Sequence, residues 1–325
     1  MSAPAAPTPG RIVVLGRRRV GDRIGDGALY GLTAAAAVTA VLIVGLIAYE
    51  LVKQAWPAIE KFGLGFVTSR AWDPVKLDFG ALDFIYGTAY TSFLAVLIAG
   101  PLAIGIALFL SEIAPRGVRG VIGTLVELLA AIPSVVIGLW GIFVLGPFVN
   151  DHLGPFLQRT LGFLPFFKGE PQLTGYLPAV IVLTIMILPI TASVARELFL
   201  SVPDDVEEAA LALGATRWEM IRGVVLPHTK GGLVAAVMLG LGRAVGEAIA
   251  VTQVIGDTLG IHISLFQNGD TLASRIASQY QGAPDKLHIA SLVYLGLVLL
   301  VFSLATNIAA QLIVRRFEFQ RTGGD

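Results

Sequence analysis

Long apolar runs alternate with polar stretches along this chain. Six of them, near 28–52, 84–111, 121–149, 178–199, 231–256 and 288–314, carry few charges. A helix needs about 20 apolar residues to cross roughly 30 Å of hydrocarbon, so each run predicts one crossing. The expected fold is an all-α integral membrane bundle of about six transmembrane helices. Gly100-Pro101, Pro133 and Pro189 interrupt the runs, which is tolerated where neighbouring helices satisfy the freed backbone groups. Gly105, Gly138, Gly240 and Gly246 would let helices approach closely. Residues 1–27, rich in Ala, Pro, Gly and Arg, read as a disordered arm, 28–314 as the six-span domain, and 315–325 as a short tail. The first run is too long for the core of a signal peptide and no small-residue cleavage site follows Leu51, so it reads as an uncleaved span. Trp56, Trp72, Tyr86, Phe163 and Tyr176 fall near the edges of the loops 53–83, 150–177 and 257–287. There they read as interfacial anchors.

One polar island, 201–229, is punctuated by helix signals. Ser201 and Asp204 have capping-box spacing, with Pro203 placed for the first helical turn. Asp204, Asp205, Glu207 and Glu208 put negative charge at a helix N-terminus, which the macrodipole favours. Gly214 is a helix stop. Thr216 and Glu219 repeat the capping box, and Pro227 is expected to end the second helix. The island therefore predicts a short helix, a Gly turn and another short helix.

Composition narrows the class further. Of the 325 residues, 55% are hydrophobic and 14% charged, far from soluble averages. The net charge is zero, which offers no pull toward nucleic acid. No Cys is present, excluding thiol chemistry, and His152, His228, His262 and His288 lack metal-ligand spacing. No metal site and no catalytic residue is assigned. Fourteen Lys and Arg fall on the side of the termini and of the polar island, against eight on the other. By the positive-inside rule both termini and the island are cytoplasmic.

The remaining Arg is the exception. Arg243 lies inside the fifth run, in Gly-Leu-Gly-Arg-Ala-Val-Gly-Glu at 240–247. On a continuous helix it would be roughly 18 Å deep. A lone charge there costs at least about 3 kcal/mol. Glu247 follows at i+4, on the same helical face. Ala236, Gly240, Arg243, Glu247 and Ala250 would form one stripe of small residues around a charged pair. Two readings fit: an ion pair that locks helices together, or a polar pathway. The guanidinium is permanently charged and presents a planar fork of donors, which points to an anionic solute such as phosphate.

Several of these segments carry a family resemblance. Glu208, Ala209, Ala210, then Gly214, then Val224, Leu226 and Pro227 resemble the loop by which an ABC-transporter permease grips its ATPase; only the family's Ile is replaced, by Val224. GRAVGEAIAV at 242–251 and LAAIPSVVIGLWG at 129–141 resemble the permease subunits of bacterial phosphate ABC importers, the PstC type. The resemblance covers all six runs. It implies a type I ABC importer permease fold in the bacterial plasma membrane. It implies a second, related permease (PstA-like), two PstB-like ATPase subunits and an extracytoplasmic PstS-like phosphate-binding protein. It also implies that Arg243 and Glu247 take part in translocation, and that no cofactor is bound by this chain, ATP and Mg being held by the ATPase. The family often has Thr after that Glu, where this chain has Ala248.

Other classes remain. A permease for sulfate, molybdate or phosphonate would share the fold. A stand-alone secondary transporter would not need the cytoplasmic motif. An intramembrane enzyme is disfavoured, because no P-loop, His-Glu-x-x-His or Gly-x-Ser-x-Gly occurs.

Overall fold

In hydrocarbon every backbone N–H must find a partner within its own segment, and the apolar runs accordingly form helices. The computed structural model describes residues 20–319. Helix α1 (Val20–Phe62) and the short α2 (Gly65–Thr68) lead into a small antiparallel hairpin. In it β1 (Trp72–Asp73) pairs with β2 (Asp78–Phe79), Trp72 opposite Phe79. Helix α3 (Leu82–Leu108) ends in a π-helical turn, Phe109–Ile113. Next come α4 (Arg116–Ala130), α5 (Ser134–Trp140), α6 (Gly146–Phe148) and α7 (Gly154–Leu161), the last three joined by π turns. Helix α8 (Tyr176–Leu200) is followed by α9 (Asp204–Ala212) and α10 (Arg217–Met220). A π turn, Ile221–Val225, connects α10 to α11 (Leu226–Gly246). The chain continues through α12 (Ile249–Val254), α13 (Leu272–Gln279) and α14 (Lys286–Phe319).

Among the described residues, six helical stretches are long and apolar enough to cross a membrane: Gly25–Phe62, Leu82–Ile113, Ser134–Leu161, Tyr176–Leu200, Arg217–Gly246 and Lys286–Val314. The chain divides into two compact units at Glu50. In the first, residues 25–50 are apolar and exposed at nearly every position. Helix α1 begins at Val20, inside the stretch expected to be a disordered arm; residues 1–19 of that arm lie outside the described residues. At the other end α14 runs on to Phe319, and 320–325 lie outside them.

The second unit is built around α8, where 67% of the apolar stretch is buried against 33% in the spans of α3 and α14. Ala95 and Ala99 of α3 pack with Val180, Leu183 and Ile187 of α8. A Cβ at Gly240 would lie 2.7 Å from the Thr191 hydroxyl oxygen, so α11 meets α8 at a position that only glycine permits. Two further cores cap the bundle. One is aromatic, with Phe66 stacked on Tyr294 at 4.3 Å and Trp72 edge-on to Phe79 and Phe84. The other joins Ala107, Ala195 and Phe199 to Met220, Ile221 and Val225.

Two expected spans are broken. The third run is not one helix over 121–149: it stops at Ala130 and restarts at Ser134, because Pro133 cannot donate and holds its predecessor out of the helical region. The fifth run breaks after Gly246, and Glu247 is extended (φ −73, ψ 117). The two restarted pieces pack together. A Cβ at Gly138 of α5 would lie 2.9 Å from the Ala250 Cα of α12. The aromatics also depart from expectation. Trp56 and Phe163 are exposed, but Trp72 and Tyr176 are buried. Tyr86 gives its hydroxyl hydrogen to the His262 carbonyl. Packed protein, not the lipid interface, holds these three: Trp72 in the aromatic core, Tyr86 and Tyr176 in the core around α8.

Candidate functional site

The polar island folds as helix, turn and helix. Helix α9 ends in a Schellman arrangement: Gly214 N–H donates to the Leu211 carbonyl and Ala215 N–H to that of Ala210. This closure needs a left-handed residue, and Gly214 has φ +90. Ala210 is half-buried on the core made by Phe199, Met220 and Ile221, while Glu208 and Ala209 are exposed. The spacing from Ala210 to Gly214 is thus the spacing of a helix stop. The capping box at the next helix is present, with Glu219 N–H donating to Thr216 Oγ1 at 3.3 Å and Thr216 N–H to Glu219 Oε2 at 2.8 Å. The other expected box is not formed. Pro203 is itself the N-cap of α9, and the Ser201 hydroxyl donates back to the Leu198 carbonyl.

Pro227 does not end the second helix. It is the second residue of α11, directly after a π turn, and the helix runs on through it. The π turn Ile221–Val225 carries α10 into α11 without a stop, so Arg217–Gly246 is one helical run of 30 residues. Leu226 is half-buried against the same core as Ala210. Arg217 Nη1 donates to the Glu112 carbonyl at 3.3 Å, tying the island to the end of the second span. Outward, Val206, Leu213 and Trp218 are exposed, an apolar face suited to a protein partner.

Arg243 and Glu247 stand at the far end of that run. Arg243 is in the last turn of α11, where a cation suits the helix C-terminus. Glu247 lies beyond the break, and its Oε1 accepts the Ala250 N–H of α12 at 3.2 Å. The break removes the i+4 register, and among the described residues no ion pair joins the two side chains. The stripe expected from a continuous helix is not a single face. Ala236, Gly240 and Ala250 are buried, whereas Arg243 is exposed. The face that does form carries Leu239, Gly242, Arg243, Gly246 and Glu247, which line a cavity of about 590 Å³ with Ile190 and Asn307. The guanidinium there offers a fork of donors and the carboxylate offers acceptors. Asn307 was missed from the sequence, although an amide inside the last apolar run was the available signal.

A second charged cluster was also missed. Arg275 of α13 is buried and pairs with Asp270 at 2.6 Å and with Asp257 at 2.8 Å. It lies over the Phe84 ring at 4.9 Å. From the sequence Arg275 reads only as one of eight loop cations. Among the described residues no group of His, Asp and Glu could hold a metal ion.

Comparison with known proteins agrees with this architecture. The family profile described as "Binding-protein-dependent transport system inner membrane component" matches residues 101–319. The "Phosphate transport system permease protein PstC" of Mesorhizobium japonicum is 42% identical over 302 residues, covering 92% of each chain. That of Haemophilus influenzae is 41% identical, covering 88% of this chain and 92% of its own. PstC 2 of Mycobacterium tuberculosis is 43% identical, covering 88% and 90%. Among solved structures, a bacterial ABC transporter that imports the acidic polysaccharide alginate matches with TM-score 0.57 at 18% identity, covering 90% of this chain and 98% of that one. The MetNI methionine ABC transporter, inward facing, matches with TM-score 0.55 at 20% identity, covering 72% and 94%. The fold is that of type I ABC importer permeases. With a profile spanning two thirds of its length and full-length relatives above 40% identity, this chain belongs to the binding-protein-dependent inner-membrane transport components, and among them to the PstC permeases.

Proposed function

We propose that this chain is the transmembrane permease subunit of an ATP-driven importer of inorganic phosphate in the bacterial plasma membrane. Its partners are a second, PstA-like permease, two PstB-like ATPase subunits and a PstS-like phosphate-binding protein outside. Both termini and the 201–229 island face the cytoplasm, in line with the Lys and Arg asymmetry. The chain has no Gly-Lys pair and so no P-loop. ATP and Mg belong to the ATPase, and this chain binds no cofactor.

The observation that carries this reading is the single helical run Arg217–Gly246. One of its ends bears the capped, outward-facing docking element, and the other bears Arg243 and Glu247. ATP-driven closure of the ATPases pushes on Glu208–Trp218. The push moves α11 and switches the Arg243 cavity between outward and inward access. Arg243 attracts the anion, and Glu247 keeps its hold weak enough for release.

Labelled phosphate uptake at low external phosphate tests this in cells lacking the chain, complemented with wild type or Arg243→Gln, with sulfate as competitor. Uptake restored by wild type alone and unaffected by sulfate is the expected result. Equal restoration by Arg243→Gln makes the guanidinium structural. Rescue of sulfate or molybdate uptake in place of phosphate keeps the permease and overturns the substrate.

A further inference from the structure

We infer that Asn307 is a further anion-contacting residue, the amide step that takes the oxyanion from Arg243 along the groove between α11 and α14. This rests on the phosphate-permease reading above. Two cavities adjoin in that groove. The first, of about 590 Å³, holds Arg243 and Glu247. The second, of about 430 Å³, holds Gln311 and lies toward the end of α11 nearer the docking element. Leu239 and Asn307 line both, so Asn307 is the polar group at their junction.

Its surroundings argue against a packing role. Asn307 is exposed on a helix whose neighbouring outward positions are Leu304, Ile308 and Leu312. Among the described residues neither Asn307 nor Gln311 has a hydrogen-bond partner. An unpaired amide facing hydrocarbon is costly. Its retention at Asn307 and again at Gln311, one turn on, therefore fits a face that meets water and solute. Glycine keeps the route open. A Cβ built at Gly242 would lie 3.9 Å from Asn307 Oδ1, and Gly246 has open space beside it. Larger side chains at these two positions would fill the gap between Arg243 and Asn307.

The chemistry suits a hydrogen phosphate ion. The Asn307 NH2 donates to a P–O⁻ oxygen while its carbonyl oxygen accepts from P–OH, both of which one amide supplies. A neutral amide holds the anion less firmly than a guanidinium, and transport needs sites that release as well as bind.

The test uses the full chain in cells lacking it, co-expressed with its partners, measuring labelled phosphate uptake, ATP hydrolysis by the purified complex and the amount of complex assembled. Asn307→Leu removes the amide at nearly constant size, and Asn307→Asp puts negative charge in the same volume. The expected result is assembled complex with working ATPase. Uptake should fall roughly tenfold for Leu, the size of one hydrogen bond, and about a hundredfold or more for Asp. Wild-type uptake in both variants overturns the inference and leaves the permease reading intact. Equal losses in both, or failure to assemble, assign Asn307 to packing and also overturn it. A wild type that moves no phosphate removes the permease reading and this inference with it.

Discussion

Arg275 holds Asp270 in a buried ion pair, Nε to Oδ2 at 2.6 Å, with 4% and 1% of the two side chains exposed. The same guanidinium reaches Asp257 Oδ1 at 2.8 Å. One cation thereby clamps both ends of the segment that runs from α12 to α13. Breaking a buried pair from one side leaves an uncompensated charge and costs about 3–5 kcal/mol. Arg275→Met should lower the melting temperature of the purified chain by many degrees, and Arg275→Lys should recover only part, because an ammonium cannot span both carboxylates in the same plane. A melting temperature unchanged in Arg275→Met would remove the clamp.

The same pair makes a prediction about pH. Burial pushes the Asp270 carboxyl up to about 7, against the pull of Arg275 and of the Thr271 N–H. A carboxyl raised above its ordinary value of about 4 contributes stability that is complete below that value and is lost as pH rises through the folded-state value. Removing Arg275 deletes the larger lowering influence and leaves burial unopposed. The destabilisation by Arg275→Met should therefore be smaller at pH 5 than at pH 8, read from melting curves at the two pH values. An equal penalty at both would mean that Asp270 does not take up a proton in the variant.

Two glycines of α3 form a matched pair. A Cβ at Gly87 would stand 1.8 Å from the Asp270 backbone oxygen, whereas one at Gly105 meets nothing within 4 Å. Gly87→Ala must push helix and segment apart, at a cost of about 3 kcal/mol or more. Gly105→Ala, inside the same helix and unobstructed, should leave stability unchanged or raise it by about 0.5–1 kcal/mol. Similar melting temperatures for the two variants would contradict the close approach of α3 to the Asp270 segment.

Gly214 makes a prediction about coupling. Its φ of +90 is strained for any side chain, yet a Cβ there meets open space. Gly214→Val should cost about 1–2 kcal/mol in the turn alone. The complex should assemble and hydrolyse ATP, while phosphate uptake is lost. Uptake at the wild-type rate would count against the docking role of 201–229.

Thr216→Ala removes one half of the capping box at α10 and should cost about 1 kcal/mol locally. Faster amide exchange over 216–220 is expected, with Thr216→Ser close to wild type. Unchanged exchange in the Ala variant would show that tertiary packing, not the cap, sets this helix start.

Much of the second unit was legible in the sequence for local reasons. Apolar length alone marks the spans, and the Thr216–Glu219 box and Gly214 encode their own geometry within a few residues. What escaped depends on distant partners. Gly246 stands at the break before Glu247 and Ala248, but in an apolar run it reads as a residue of close helix approach; the break is held by the Glu247 bond to Ala250 N–H and by the contact of α12 with Gly138. Pro227 reads as a helix end because a proline bars the ordinary bond to the fourth residue before it; here the preceding turn is π, and the helix continues through it. Arg275, Trp72 and Tyr176 read as surface residues because some of the partners that bury them lie far along the chain: Phe84 for Arg275, His288 and Gln279 for Trp72, Tyr90 and Gly269 for Tyr176.

The unbroken run from Arg217 to Gly246 also has a mechanical meaning. Thirty residues at 1.5 Å each make a bar at most about 45 Å long, a little less for the π turn among them. Pivoted near one end and tilted by about 10°, such a bar sweeps its other end through about 8 Å, more than one helical turn. In the permease proposed above, a lever of this length would turn a small angular step at the docking element into a displacement at Arg243 wider than the guanidinium itself.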